Sequence, residues 1–306
     1  IQPGGVTRAP TLRDRMRIEL SMRGFRSYVE EVRVGAPLAR FVALEGAGGF
    51  ADWATGDAGL CAELAAELSL DRVGPGPGRC LSYGAYPMAD GPAFAAGTWD
   101  GALRPLDTAA IAEDLSHAWM LGETAHPAAG ETRPDEDMRE GAYSWCKAPR
   151  LAGLAMETGA LARQVVDGHP LARSLAERGG VTARIGGRLL EIARTQILLE
   201  DWARAIRPEE RFMDRVTLPE EGTGEGLVEA ARGSLGHWIR IERGRIAGYQ
   251  IVAPTTWNFS PRDEGGTPGP VEAALVGAEV GADEDVPLTV QHIVRSFDPC
   301  MVCTVH

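Results

Sequence analysis

The residues best equipped for chemistry stand at the carboxyl end: Asp298-Pro299-Cys300-Met301-Val302-Cys303-Thr304-Val305-His306. Two thiols lie three positions apart, with a carboxylate just upstream and an imidazole at the next three-residue step. A C-x-x-C can hold one metal ion from a single turn, both sulfurs pointing the same way, and thiolates select soft or borderline transition metals. The same spacing also serves dithiol redox chemistry and structural zinc, so three uses stand open on local grounds. The remaining cysteines lack ligand spacing. Cys61, in Gly59-Leu60-Cys61-Ala62-Glu63-Leu64, reads as a buried helix residue, and Cys80 opens an apparent strand. Five scattered cysteines are too few for a disulfide framework.

Three other segments carry polar groups on stiff backbone. In Tyr143-Ser144-Trp145-Cys146-Lys147-Ala148-Pro149-Arg150, Pro149 fixes its own φ and biases Ala148 toward extended geometry, so Arg150 leaves a rigid turn with its planar fork of donors. Taken alone, this is as well explained by a structural Arg. Val252-Ala253-Pro254-Thr255-Thr256-Trp257-Asn258 ends an extended run with a proline, two hydroxyls and an amide, as an ordinary strand-to-turn transition also would. Glu229-Ala230-Ala231-Arg232-Gly233-Ser234-Leu235-Gly236-His237-Trp238 places His237 on a strand, where a core or edge histidine is the bland reading.

The elements that must position these groups follow from periodicity. Residues 10–35 carry Met16, Ile18, Leu20, Met22, Phe25, Val29 and Val32 at helical spacing, with Thr11 as cap and Gly35-Ala36-Pro37 as stop. Gly59–Leu70 reads as a second helix and Val73–Gly78 as a loop. From Cys80 to Leu106 short aromatic and Gly-rich runs predict strands or hairpins. Asp107–Leu115 is expected to be helical, Ala125–Glu140 a solvated loop, and Gly153–Val166 a helix. Thr182–Ile206 is a long helix whose broad apolar face (Ile185, Leu189, Leu190, Ile192, Ile197, Leu198, Trp202) suggests burial in a bundle. Leu235–Ile241 and Arg245–Val252 alternate as an antiparallel hairpin, and Pro287–Phe297 is a last short helix that delivers the tail, with Pro287 at its first position. The acidic, Gly-rich Pro219–Gly226 is the one compositional break. The fold class expected is α+β, predominantly helical: a helix bundle with small antiparallel sheets.

A net charge of −12 over 306 residues leaves no basic stripe for nucleic acid. Hydrophobic and charged contents of 44% and 24% are those of a globular protein, and no run of about 18 apolar residues exists to span a membrane. The start, Ile1-Gln2-Pro3-Gly4-Gly5-Val6, lacks the basic and apolar regions of a secretory signal and reads like a sequence entered partway through.

Considered together and in this order, these segments resemble the C-terminal half of the large subunit of a nickel–iron hydrogenase, of the uptake or hydrogen-sensing regulatory branch. The likeness is densest at 141–163 and 229–306. It includes Met156-Glu157-Thr158-Gly159-Ala160-Leu161-Ala162-Arg163, similar to the family's E-x-G-P-L-A-R, and Gly269-Pro270-Val271-Glu272-Ala273-Ala274-Leu275-Val276-Gly277. What it implies is a Ni–Fe centre with cyanide and carbon monoxide ligands that cleaves H2 heterolytically. Cys300 resembles the terminal nickel thiolate, which also takes the proton when H2 splits, and Cys303 the thiolate bridging nickel and iron. His306 resembles a ligand of a nearby magnesium (or iron), to which Ile251 would add its backbone carbonyl. Arg150 resembles the guanidinium over the centre, donating to an iron cyanide; Thr255, with the backbone of Ala253 and Pro254, resembles the donor to the other cyanide. Asp298 resembles the carboxylate paired with Arg150. Iron–sulfur clusters are expected only in a small partner subunit, in a heterodimer.

The departures are as informative. The family supplies four thiolates, two from an R-x-C-G-x-C motif in its N-terminal half, and no such motif occurs here. Residues 1–306 are therefore expected to be one domain, the C-terminal part of a large subunit whose N-terminal part is absent from this chain, as a fragment or a naturally split subunit. A degenerate relative would be expected to have lost Cys300 and Cys303. A sensor with the same site, signalling to a histidine kinase, and a non-catalytic zinc or dithiol protein are the rival readings. The expected location is cytoplasmic, or peripheral at a membrane through the partner subunit.

Overall fold

The computed structural model describes residues 8–211, 217, 219–281 and 287–300. A capping box starts α1 (Leu12–Tyr28): Thr11 Oγ1 accepts the Asp14 N–H at 3.2 Å and Asp14 accepts the Thr11 N–H at 2.9 Å. The helix runs on through a π-helical turn, Val29–Val34, to Gly35 in the left-handed region, so the expected span holds. Its apolar side does not pack as expected. Leu12, Met16 and Leu20 are exposed, and the side turned to the bundle is polar, with Arg26 on Glu200 at 3.2 Å and Gln196 donating to the Met22 carbonyl. The facing surface presents Glu200 and Gln196, and these select the arginine side of α1.

Helices α2 (Leu38–Val42), α3 (Ala47–Ala51) and α4 (Gly56–Glu67) follow, with Cys61 half-buried on α4. The bundle is built on α7 (Gly180–Ala205), which touches α1, α2, α4, α5 (Ala160–Val166), α6 (Pro170–Arg178) and α10 (Leu288–Ser296). Side-chain volume limits how closely helices approach, and Gly186 and Gly187 remove that limit on α7. A Cβ on Gly187 would lie 2.7 Å from the Leu161 Cα, one on Gly186 2.6 Å from Leu175. Phe41, Phe50, Leu161, Val165, Leu171, Leu175 and Leu190 form the core between these helices.

Among the described residues three small antiparallel sheets flank the bundle: β1 (Cys80–Met88), β2 (Gly91–Trp99) and β3 (Leu103–Arg104); β4 (Ile111–Asp114) with β5 (Ala148–Leu151); and β6 (Gly222–Ala230), β7 (Gly233–Glu242) and β8 (Arg245–Val252). The α+β, predominantly helical architecture is the one expected. Four local expectations are corrected. The stretch 107–115 forms one 3-10 turn and then β4, because Ile111–Asp114 pair with β5, an arrangement invisible to local propensity. The helix expected from Gly153 begins only at Ala160, because Glu157 bonds through its backbone to Arg79 and Leu81 beside β1. The acidic Gly-rich break is largely β6, the third strand of its sheet, and α6 was not expected at all.

Candidate metal centre

The end of the last helix and the β6–β7 turn line one cleft, and α8 (Pro254–Asn258) is tied to its Thr158 wall. Pro254 is the first residue of α8 and Ala253 its extended cap, so the strand β8 turns directly into a short helix that buries Thr255, Trp257 and Asn258. Asn258 ties this helix to the family-like segment at 157–158: its Oδ1 accepts the Thr158 N–H and its Nδ2 donates to the Thr158 carbonyl, both at 3.0 Å. On the far side, α10 ends at Ser296. Asp298 then turns the chain with φ of 55°, and the Cys300 N–H donates to Thr255 Oγ1 at 3.3 Å. A left-handed Asp is tolerated where a turn demands it, and such positions gather at functional sites. A hydroxyl that accepts the Cys300 N–H keeps its own proton to donate elsewhere.

Two guanidiniums face Asp298. Arg232 Nε lies 4.0 Å from Oδ1 and Arg188 Nε, from α7, lies 3.7 Å from Oδ2. The same cleft is lined by Glu157, Thr158, Gly159 and Phe297. Arg163, in the Leu-Ala-Arg motif, explains how the β6–β7 turn is held. It donates to the carbonyls of Ala230 (2.8 Å) and Ala231 (3.0 Å) and pairs with Glu191 (2.5 Å) and Glu229 (2.6 Å). Burial works against its charge, but the two carboxylates outweigh that and hold its pKa above the ordinary arginine value. The backbone just before Arg232 is thereby fixed.

Gly233 completes the turn with φ of 134°, and a Cβ there would meet Thr158 Oγ1 at 2.5 Å and the Gly159 N at 2.7 Å. Gly233→Ala is expected to destabilise the chain by about 2–3 kcal/mol, from strain and overpacking together, and to displace Arg232. Denaturant unfolding measures this, and a change under 0.5 kcal/mol, a size typical of neutral surface substitutions, would show that the close approach is not real.

The sequence-predicted site residues divide. Cys300, Thr255, Pro254 and Asp298 come together, with Ala253 at the cap of the same helix. Ile251 lies on β8 opposite His237, and His237 Nδ1 meets the Tyr249 hydroxyl at 2.6 Å. Cys303 and His306 lie outside the described residues. Arg150 needs correction. It is buried on β5 with all five of its N–H donors engaged: Nε to Asp263 at 2.9 Å, and two each from Nη1 and Nη2, at 3.0 Å, to Pro149, Ser260, Pro261 and Thr267. Its carboxylate partner is Asp263, not Asp298, and no donor is left for a cyanide. Arg232 and Arg188 are the guanidiniums that the fold brings to Asp298.

Another cluster escaped the sequence reading. Lys147 Nζ, buried, contacts Glu113 Oε2 at 3.1 Å and Gln250 Oε1 at 2.9 Å, beside Ile251. Burial raises the Glu113 pKa against the opposing pull of Lys147. The missed signal lay in Glu113, hidden by the helical reading of its segment.

The donor set can be tested against a soft metal group. The Arg232 guanidinium, paired with Asp298, lines the cleft, one half-buried thiol and one hydroxyl with a proton to give meet beside it, and Thr158 Oγ1 is buried in its wall without a hydrogen-bond partner among the described residues. No cluster of three His, Cys, Asp or Glu side chains occurs among the described residues; the thiol, hydroxyl and guanidinium present fit one side of a soft metal group.

The family model described as nickel-dependent hydrogenase matches residues 68–306. The chain belongs to this family. It is 34% identical over 229 residues to the periplasmic [NiFeSe] hydrogenase large subunit of Desulfomicrobium baculatum, covering 68% of this chain and 44% of that one. Against the uptake hydrogenase large subunit of Rhodobacter capsulatus it is 33% identical over 244 residues, 65% of this chain and 41% of the relative. The chain thus spans less than half the length of these two relatives. Among solved structures, the H2-activated [NiFeSe]-hydrogenase of Dm. baculatum superposes with a TM-score of 0.81 at 28% identity, covering 99% of this chain and 62% of that one. The reduced Ni-Fe-Se hydrogenase of D. vulgaris Hildenborough gives 0.82, at 99% and 63%. The structural likeness therefore reaches α1–α4, which precede the matched residues of the family model.

Proposed function

We propose that this chain is the C-terminal, nickel-holding part of a hydrogenase large subunit that interconverts H2 with two protons and two electrons. The observation that carries the reading is the delivery of Cys300 against the Thr255 hydroxyl, at a cleft where Arg232 faces Asp298. A Ni–Fe centre with cyanide and carbon monoxide ligands, when bound, supplies heterolytic cleavage of H2. Cys300 and Cys303 provide two of its thiolates, whose soft donor character suits a redox-active nickel. Thr255 donates its remaining proton to a polar ligand, and Arg232 presents positive charge held in place by Asp298. The Cys300 sulfur is the group placed to take a proton.

The magnesium (or iron) near the tail would be held by His306 and the Ile251 carbonyl, with Glu113 and Lys147 next door; oxygen ligands suit a hard cation. The remaining thiolates would come from the N-terminal part of the large subunit. Electrons leave through iron–sulfur clusters of a small subunit. Among the described residues no helix is long and apolar enough to cross a membrane, which is compatible with attachment through that partner.

Metal analysis of the assembled protein tests the reading. One nickel per chain, with infrared bands of carbon monoxide and cyanide, is the expected result. Zinc alone at this site would overturn it in favour of a structural dithiol protein.

A further inference from the structure

α7 carries two arginines one helical turn apart, Arg184 and Arg188, and both reach the end of α10. Arg184 is committed to the fold: it holds Glu157 through two bonds of 2.7 and 2.8 Å, donates to the Gly74 carbonyl at 2.8 Å and stacks 3.6 Å over the Phe297 ring. Arg188 is different. Its Nη2 donates to the Ser296 carbonyl at 3.1 Å, while its Nε faces the Asp298 carboxylate at 3.7 Å. One planar fork therefore caps the last turn of α10 and holds the side chain of the left-handed residue that follows. A cation at a helix C-terminus is favourable to the exposed carbonyls, and two anchor points two residues apart define a turn where one does not.

We infer that Arg188 is a positioning residue for the thiolate tail: by gripping Ser296 and Asp298 together it sets the turn that places Cys300 against Thr255. Its consequence for metal binding rests on the nickel reading above; the placement itself does not. Arg232 meets the same carboxylate from the opposite element, so Asp298 is shared between a guanidinium that fixes the turn and one that faces the cleft.

The test uses the metal-free full chain. Alkylation of individual cysteines by iodoacetamide is followed by mass spectrometry, with buried Cys80 reporting global opening. In Arg188→Met, Cys300 is expected to react roughly tenfold faster with Cys80 unchanged, as loss of the charge-assisted hydrogen bond to Ser296 and of the ion pair with Asp298 frees the turn. Arg188→Gln ends where the Arg188 Nε stands, so it keeps an amide toward Asp298 but not the reach to the Ser296 carbonyl, and an intermediate rate is expected. Should Cys80 accelerate in step in the Met variant, the Gln variant decides. A Cys300 rate equal to wild type in the variant that stays folded overturns the inference. Nickel content, measured on the assembled variants, is expected to fall with the same ranking. An assembly whose wild type holds no nickel refutes the proposed function while leaving the alkylation result to stand or fall alone.

Discussion

Cys300→Ser is expected to give a folded chain that retains less than roughly a tenth of the wild-type nickel in the assembled protein. The structural side of this expectation rests on what Cys300 contributes to the fold, which is its backbone. Its N–H donates to Thr255 Oγ1 and survives the substitution. Sulfur and oxygen differ little in volume, so the melting temperature should shift by no more than about 2 °C, the size of a change well below 1 kcal/mol in a domain of this length. The chemical side is different. A thiol loses its proton readily to a transition metal, whereas an alcohol stays protonated and offers a harder donor. Cys61→Ser on α4 supplies the control, with nickel unchanged. A Cys300→Ser assembly that still carried a full complement of nickel would remove the thiolate role proposed for this residue.

How much of this was legible in the sequence depends on the range of the interaction. Thr11, Gly35, the long α7 and the β7–β8 hairpin obey local rules of capping, periodicity and turn chemistry, and their positions follow from the residues alone. The tail was legible for another reason: thiols at ligand spacing are rare enough to stand out from any background. What escaped was pairing at a distance. β4 exists because residues 148–151 lie beside it, and Glu157 is extended because β1 receives its backbone. The same blindness exchanged the two arginines. Arg150 follows a stiff Ala-Pro step and so looked presented, yet apart from the Pro149 carbonyl every group that binds it comes from positions 260–267, more than a hundred residues away. Arg232 looked ordinary, and only the approach of Gly233 to Thr158 reveals why the turn that carries it is built as it is.

That exchange yields a crossed pair of expectations. Arg150→Lys keeps one charge near Asp263 but forfeits most of five hydrogen bonds in a buried setting, where breaking a paired group costs about 3–5 kcal/mol. The melting temperature should fall by roughly 10 °C, with H2 oxidation per nickel-loaded chain unchanged. Acid sensitivity should move too. Burial pushes the Asp263 carboxyl upward, but the Thr267 N–H and the Arg150 guanidinium outweigh it and hold it below the ordinary carboxylate range. Its contribution to stability is thus present above that range and lost as pH falls through the depressed value, so weakening the guanidinium contact brings acid unfolding to higher pH. Arg232→Lys should behave in the opposite way. Its side chain is 46% exposed and 4.0 Å from Asp298, an ion pair contributing at most about 1 kcal/mol, so stability barely changes. Activity per nickel should fall by about 100-fold, since a planar fork aimed at the cleft becomes a single mobile ammonium. Calorimetry and H2-uptake rates on the same two variants separate the assignments. If Arg150→Lys lost activity at full stability while Arg232→Lys kept it, the guanidinium at the reacting centre would be Arg150 after all, and the fold around Asp298 would have to be read as scaffold.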